Sequence, residues 1–149
     1  MDESSLLVVF TLHEQRYALR LPAVTRIVRV AEITVLPGAP DIVLGVVNLQ
    51  GQIIPVVDLR KRLGLAARDV QLTDHLIIAR TSLRPMALLV ASVIGVIDGP
   101  QSQVSASIQA DTTYVAGVLK LADGLVLIHD LDTFLSPVED VLLDQALAS

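Results

Sequence analysis

Three histidines and two matched aspartates are the side chains of this sequence whose types could do chemistry. His13, His75 and His129 could ligate a metal, and Asp58 and Asp130 could form the carboxylate pair of an acid–base site. Their surroundings point elsewhere. The histidines form no metal-ligand pattern with one another or with carboxylates. Each aspartate closes an apolar run and opens a short segment, LRKRL after Asp58 and LDTFL after Asp130. A carboxylate there accepts from free backbone N–H groups and suits the helix dipole, so both read as caps. The chain has no cysteine and no G-x-S-x-G, P-loop or G-x-G-x-x-G motif. No reactive thiol, disulfide or phosphate cradle is indicated. The reading is a protein without catalytic residues, metal or cofactor.

The elements that position these residues are short and β-rich. Apolar runs at 6–12, 17–21, 25–30, 45–49, 52–59, 75–80, 86–90, 93–98, 114–121 and 125–129 are separated by turn residues. In the second run Tyr17, Leu19 and Leu21 share one face and Ala18 and Arg20 the other, as a half-buried strand requires. Gly51 supplies the positive φ of a tight hairpin turn. Asn48 is expected to bond the backbone around that turn. Pro55 donates no hydrogen bond, which predicts an edge or a bulge there. At the end of the chain, Ser136, Pro137 and Glu139 spell a capping box with proline at the first helical position. The stripe Val138, Val141, Leu142 and Gln145 is expected to dock that helix on the rest of the protein.

Composition sets further limits. The 149 residues are 52% hydrophobic and only 3% aromatic, so aliphatic side chains must do the packing and base-stacking platforms are absent. The longest apolar run, 86–97, is too short to span a membrane. The opening MDESS has no secretory character. A net charge of −5 argues against nucleic acid as a partner. These features predict a soluble cytoplasmic protein with no membrane insertion. The charge is uneven: residues 1–68 carry 8 basic and 6 acidic groups, net +2, and residues 69–149 carry 3 basic and 10 acidic, net −7. The basic first half, with its RKR run at 60–62, suits an acidic partner surface, and the polarity suits end-to-end docking.

The chain also repeats itself. GVVNLQGQIIPVVDLRKRL (45–63) lies over GVLKLADGLVLIHDLDTFL (117–135) at an offset of 72 with 6 of 19 positions identical. Residues 8–30 lie over 77–99 at an offset of 69, mainly in apolar pattern. Two matches in one order predict a duplicated unit of roughly 70 residues. So small an all-β unit buries too little surface alone, so the twins should share an apolar seam. The expectation is one domain over 1–149, with a first subdomain at 1–66 and a second at 67–149, and with room for terminal strands to cross between them.

GVVNLQGQIIPVVDLRKRLGL (45–65) resembles the signature of the CheW chemotaxis coupling family. FTLHEQRYALRLPAVTRI (10–27) resembles the family's opening, with Tyr17 and Val24 in familiar places, and residues 112–135 resemble its closing element. The resemblance implies an all-β fold of two packed five-stranded SH3-like β-barrels with short connecting helices and a C-terminal helix. It implies a non-enzymatic adaptor that joins chemoreceptors to a CheA-type histidine kinase. A receptor's cytoplasmic helical hairpin would lie in a groove carrying Val24, Arg26, Ile27, Gly45 and Gln50. Leu49, Ile53 and Val56 would face the kinase regulatory domain. On this reading Gly45→Asp removes receptor binding and leaves the fold intact. The sequence departs from the family where Gln50 replaces an arginine and Arg26 an acidic residue, so the usual ion pair cannot form. That leaves open an alternative: an adaptor of a pathway for surface motility or development, with a different kinase or receptor. A small-ligand barrel would be a third reading, without a nucleophile or base in its favour.

Overall fold

The computed structural model describes residues 6–12, 14–99, 104–105, 115–122 and 124–148. His13 and Tyr114 lie outside them. Eleven strands and two helices follow in order: β1 Leu6–Leu12, β2 Gln15–Arg20, β3 Val24–Arg29, β4 Val43–Leu49, β5 Gln52–Val57, α1 Leu59–Arg62, β6 His75–Arg80, β7 Pro85–Val90, β8 Ser92–Asp98, β9 Val104–Ser105, β10 Val115–Leu121, β11 Gly124–His129 and α2 Pro137–Ala148. Short 3-10 turns follow β2 (Leu21–Ala23) and β11 (Leu131–Thr133). Pro22, in the first of these turns, ends β2 because it fixes φ and brings no donor. The β4–β5 turn uses Gln50 at φ 52° and Gly51 at φ 85°, the left-handed pair that a two-residue hairpin wants. Asn48 Oδ1 accepts from the Gly51 N–H at 2.9 Å, as expected of it.

The strands form two sheets. Sheet I has the order β8-β1-β2-β11-β10-β9 and sheet II the order β3-β6-β7-β5-β4. Under the repeat, β8 corresponds to β3, β1 to β6, β2 to β7, β11 to β5 and β10 to β4, so the orders coincide. Finer features coincide too. The two cross-repeat junctions, β11 with β2 and β5 with β7, are both parallel. Bulges fall at Thr25 and Ile94, and again at Leu44 and Ala116. Each pair is related by the repeat offsets.

The division at residue 66 does not describe these sheets. Sheet II takes every strand between residues 24 and 90, whereas sheet I combines β1 and β2 with β8 to β11. Each copy lends its first hairpin to the other copy's remaining strands. The crossing reaches well beyond the terminal strands because β6 and β7 also change sides. Sheet I is six-stranded rather than five-stranded because β9 pairs with β10. Pro55 sits on an interior strand, but the parallel ladder from β5 to β7 begins only at Val56, so the proline is locally at an edge.

Three apolar clusters result. Leu7, Val9, Ala18, Leu119, Val126 and Ile128 fill one face of sheet I. Val47, Ile54, Val56, Leu76, Ile78 and Ala87 fill one face of sheet II. The largest cluster lies between the sheets, where Phe10, Leu12, Tyr17 and Leu19 meet Val57, Ile77, Met86 and Leu88. This is the shared seam that two undersized units require.

Helix α2 covers one end of the seam, with the capping box formed as read: Ser136 N–H donates to Glu139 Oε1 (2.8 Å) and Glu139 N–H to Ser136 Oγ (3.1 Å). Its docking face differs from the predicted one. Leu143 and Ala146 are buried, while Val138 and Val141 are 68% and 54% exposed. The rotation follows from charge. Arg62 donates twice to Glu139 (2.6 and 2.7 Å), and Arg84 pairs with Asp140 (3.4 Å) and Asp144 (2.7 Å). These contacts turn the acidic side of α2 inward.

Candidate functional site

Asp58, Asp130 and His129, three of the residues considered first for chemistry, have structural partners. Asp58 Oδ1 accepts from the Lys61 N–H and Asp130 Oδ1 from the Asp132 N–H, both at 3.2 Å, so each caps the turn after it. His129 is buried, stacks on Tyr17 (centroids 4.9 Å) and meets Phe134 at a tilt (5.3 Å). Burial raises the Tyr17 phenol above its ordinary range, against the opposing field of Arg60, so it stays protonated. Among the described residues no three His, Cys, Asp or Glu side chains gather as a metal site. No described helix is long and apolar enough to cross a membrane.

The acidic end of α2 shows two opposite shifts. Burial pushes the Glu139 carboxyl up, but hydrogen bonds from Arg62 and Ser136 outweigh it and hold the group below its ordinary value. Next to it, burial raises Asp140, and Arg84 only partly offsets this. Glu139 therefore contributes stability above the ordinary glutamate range that is lost as pH falls through its depressed value. Asp140 opposes that trend.

The candidate surface lies on β3, an edge strand of sheet II. Val24 pairs with Ala79 and Ile27 with Ile77, both members of the seam cluster. The bulge at Thr25 is what puts two side chains three positions apart on one face. Val24 is half-buried, and Ile27 is 41% exposed. The two form an apolar ledge where the seam opens. Beside it lies a crevice of about 310 Å³ whose walls include Leu19, Ala23, Arg80 and Leu131, contributed by both sheets. Arg26 points to the other side of β3 and reaches the β4–β5 turn, where its Nη1 donates to Gln50 Oε1 at 3.4 Å. The two residues that replace the expected ion pair are therefore together, joined through a neutral amide.

The other predicted site residues separate. Gly45 is buried, and a Cβ there would stand 2.3 Å from the Thr34 carbonyl oxygen. That closeness lets Thr34 pair with Val46 by two backbone hydrogen bonds (2.9 and 2.8 Å) and lays residues 31–36 along β4. Gly45 is thus a packing position. Gly45→Asp would displace this segment, contrary to the expectation of an intact fold. Val56 is fully buried in the sheet II cluster, which excludes it from a contact face. Leu49 is half-buried against the same cluster, and Ile53 is 49% exposed on β5. Arg29, one of the basic residues that suit an acidic partner surface, and Arg80, which sequence reasoning did not single out, flank the ledge. The alternation in TRIVRV was the available signal for Arg29; nothing local marked Arg80, because β6 joins β3 only through the exchange of hairpins.

Comparison with known proteins points one way. The family model described as "CheW-like domain" matches residues 6–139. Similar proteins include the "Chemotaxis protein CheW" of Rhizobium meliloti (strain 1021), 30% identical over 85% of this chain and 84% of that protein. Another bears the same name in Thermotoga maritima, 30% identical over 87% of this chain and 86% of that protein. The crystal structure of the scaffolding protein TtCheW from Thermoanaerobacter tengcongensis superposes with a TM-score of 0.83 at 30% identity, covering 91% of this chain and 95% of that one.

Proposed function

Because the chain belongs to the CheW-like family, we propose that it is a chemotaxis scaffold that couples chemoreceptors to a CheA-type histidine kinase. It is an adaptor rather than an enzyme, as its family is. It acts by holding two partners in register, so that a shift in one biases the other. The observation that carries the reading is the ledge of half-buried Val24 and exposed Ile27, an aliphatic pair on an edge strand where the two sheets part. Such a strip accepts the apolar face of a helix. We assign it, with Arg26 and Gln50 at its margin, to the receptor's helical hairpin. Ile53, supported by Leu49, is assigned to the kinase regulatory domain. This work is done on the cytoplasmic side, at receptor arrays.

The test is Ile27→Asp. The side chain is already partly in water, so the fold is expected to survive, as judged by its thermal unfolding. Co-sedimentation with receptor-bearing membranes should fall at least tenfold, the scale of roughly 1.4 kcal/mol for placing a charge in an apolar contact. Binding of the kinase regulatory domain should be unchanged. Undiminished co-sedimentation would remove the ledge from the receptor interface. The cation at Arg26 and the amide at Gln50 also favour a second circuit, in which the same scaffold serves a motility or developmental pathway. Identification of the kinase that co-purifies from native extract separates the two.

A further inference from the structure

The charges around the ledge are one-sided. Arg29 shares the seam face with Val24 and Ile27, since it pairs with His75 two positions beyond the Ile27–Ile77 pair. Arg80 follows Ala79, the partner of Val24, and lines the crevice beside Ala23. The apolar pair is therefore bracketed by an arginine at each end, with Arg26 on the rim between them. All three are exposed. Among the described residues none of these three forms an ion pair, unlike Arg62, Arg68 and Arg84. Arg26 has only the neutral Gln50 amide. Two carboxylates stand in the crevice wall, but both are engaged elsewhere. Asp130 caps its own turn, and Asp132 Oδ1 accepts from the Ser82 N–H (2.8 Å) and Oγ (3.2 Å).

An unpartnered cation beside an apolar contact is neutral in cost while it stays hydrated. It becomes costly once a partner covers it, unless that partner brings the opposite charge. We propose that this ledge selects a helical hairpin whose apolar contact stripe is bracketed by acidic side chains, read by Arg29 and Arg80 at the two ends and by Arg26 at the rim. Five residues of strand extend about 17 Å, roughly three turns of helix, so carboxylates two to three turns apart match the two end arginines. The inference rests on the receptor-hairpin reading above and adds the chemistry of the partner. Arg26, Arg29 and Arg80 become the residues that choose among receptors.

The experiment measures binding of the full chain to the cytoplasmic hairpin fragment of a receptor from the same cell, across a range of salt concentration. The wild type should weaken as salt rises. Each of Arg26→Gln, Arg29→Gln and Arg80→Gln should weaken low-salt binding by roughly two- to fivefold, as for exposed charge pairs. The triple variant should lose roughly tenfold or more and bind independently of salt. Charge reversal, Arg29→Glu, should be rescued by a matching acidic-to-lysine change on the hairpin. Kinase binding should not change. A triple variant with wild-type affinity and salt slope would overturn the charge selection while leaving Ile27→Asp to judge the docking itself. Loss of kinase rather than receptor binding would overturn the assignment of the partner.

Discussion

On the edge strand of sheet II, Arg26 and Arg29 stand where the equivalent strand of sheet I has Gly95 and Asp98. At the hairpin tip Gln50 faces Ala122 across the repeat, and after the capping aspartate Arg60 faces Asp132. Inside, the same comparison gives Leu7 with Leu76, Val47 with Leu119, Val56 with Ile128 and Leu59 with Leu131, all buried. The bulges and caps match as well. The contrast has a physical scale. Emptying a core position costs several kcal/mol, whereas changing an exposed charge costs at most about 1 kcal/mol. The interior and the backbone geometry are held in common, and the outer faces carry what distinguishes the two ends. Those outer changes contribute to the charge split of +2 and −7.

The largest test of this equivalence is in the cores. Leu7→Ala and Leu76→Ala each empty a fully buried site at the same repeat position, and each should cost about 3–5 kcal/mol in urea unfolding. Agreement within about 1 kcal/mol is expected if the copies pack alike; a much smaller loss at Leu7 would break the comparison. Next is Gly45→Ala, which drives a methyl into the Thr34 carbonyl and should cost about 2–3 kcal/mol. Amide exchange at Thr34 and Val46 should accelerate sharply. Gly95→Ala, with open space around it, should lose about 1 kcal/mol from backbone strain alone. The smallest difference lies in the caps. Asp58→Ala should cost about 1 kcal/mol and Asp130→Ala nearer 0.5, because Asp132 already supplies a negative charge to the second turn. Thermal unfolding of the two variants resolves them.

Much of the fold was legible because its constraints are local. Alternation placed β2, the hairpin at Asn48 to Gly51 followed from turn chemistry, and α2 was announced by Ser136, Pro137 and Glu139. The repeat revealed twin units and a seam. The exchange of hairpins was not legible, since β6 pairs with β3 across residues that share no local signal. The face of α2 was misread because hydropathy alone cannot see Arg62 and Arg84, which arrive from α1 and the β6–β7 turn and hold Glu139 and Asp140. At the site, Ile27 and Arg26 were named by the family resemblance of the opening segment. Gly45 and Val56 were drawn into the surface by motif, although close backbone approach and core packing explain them.

The lending of hairpins also sets an order of events at the ribosome. Sheet II is spelled out between residues 24 and 90 and can assemble as soon as that stretch has emerged. The β1–β2 hairpin leaves first yet finds its neighbours only when β8 and β11 follow. At ordinary elongation rates that wait is on the order of 5 to 20 s. Throughout it Leu7 and Val9 lack Leu119, Val126 and Ile128, the side chains that cover them in the finished fold, so the waiting hairpin keeps an apolar face in need of shelter.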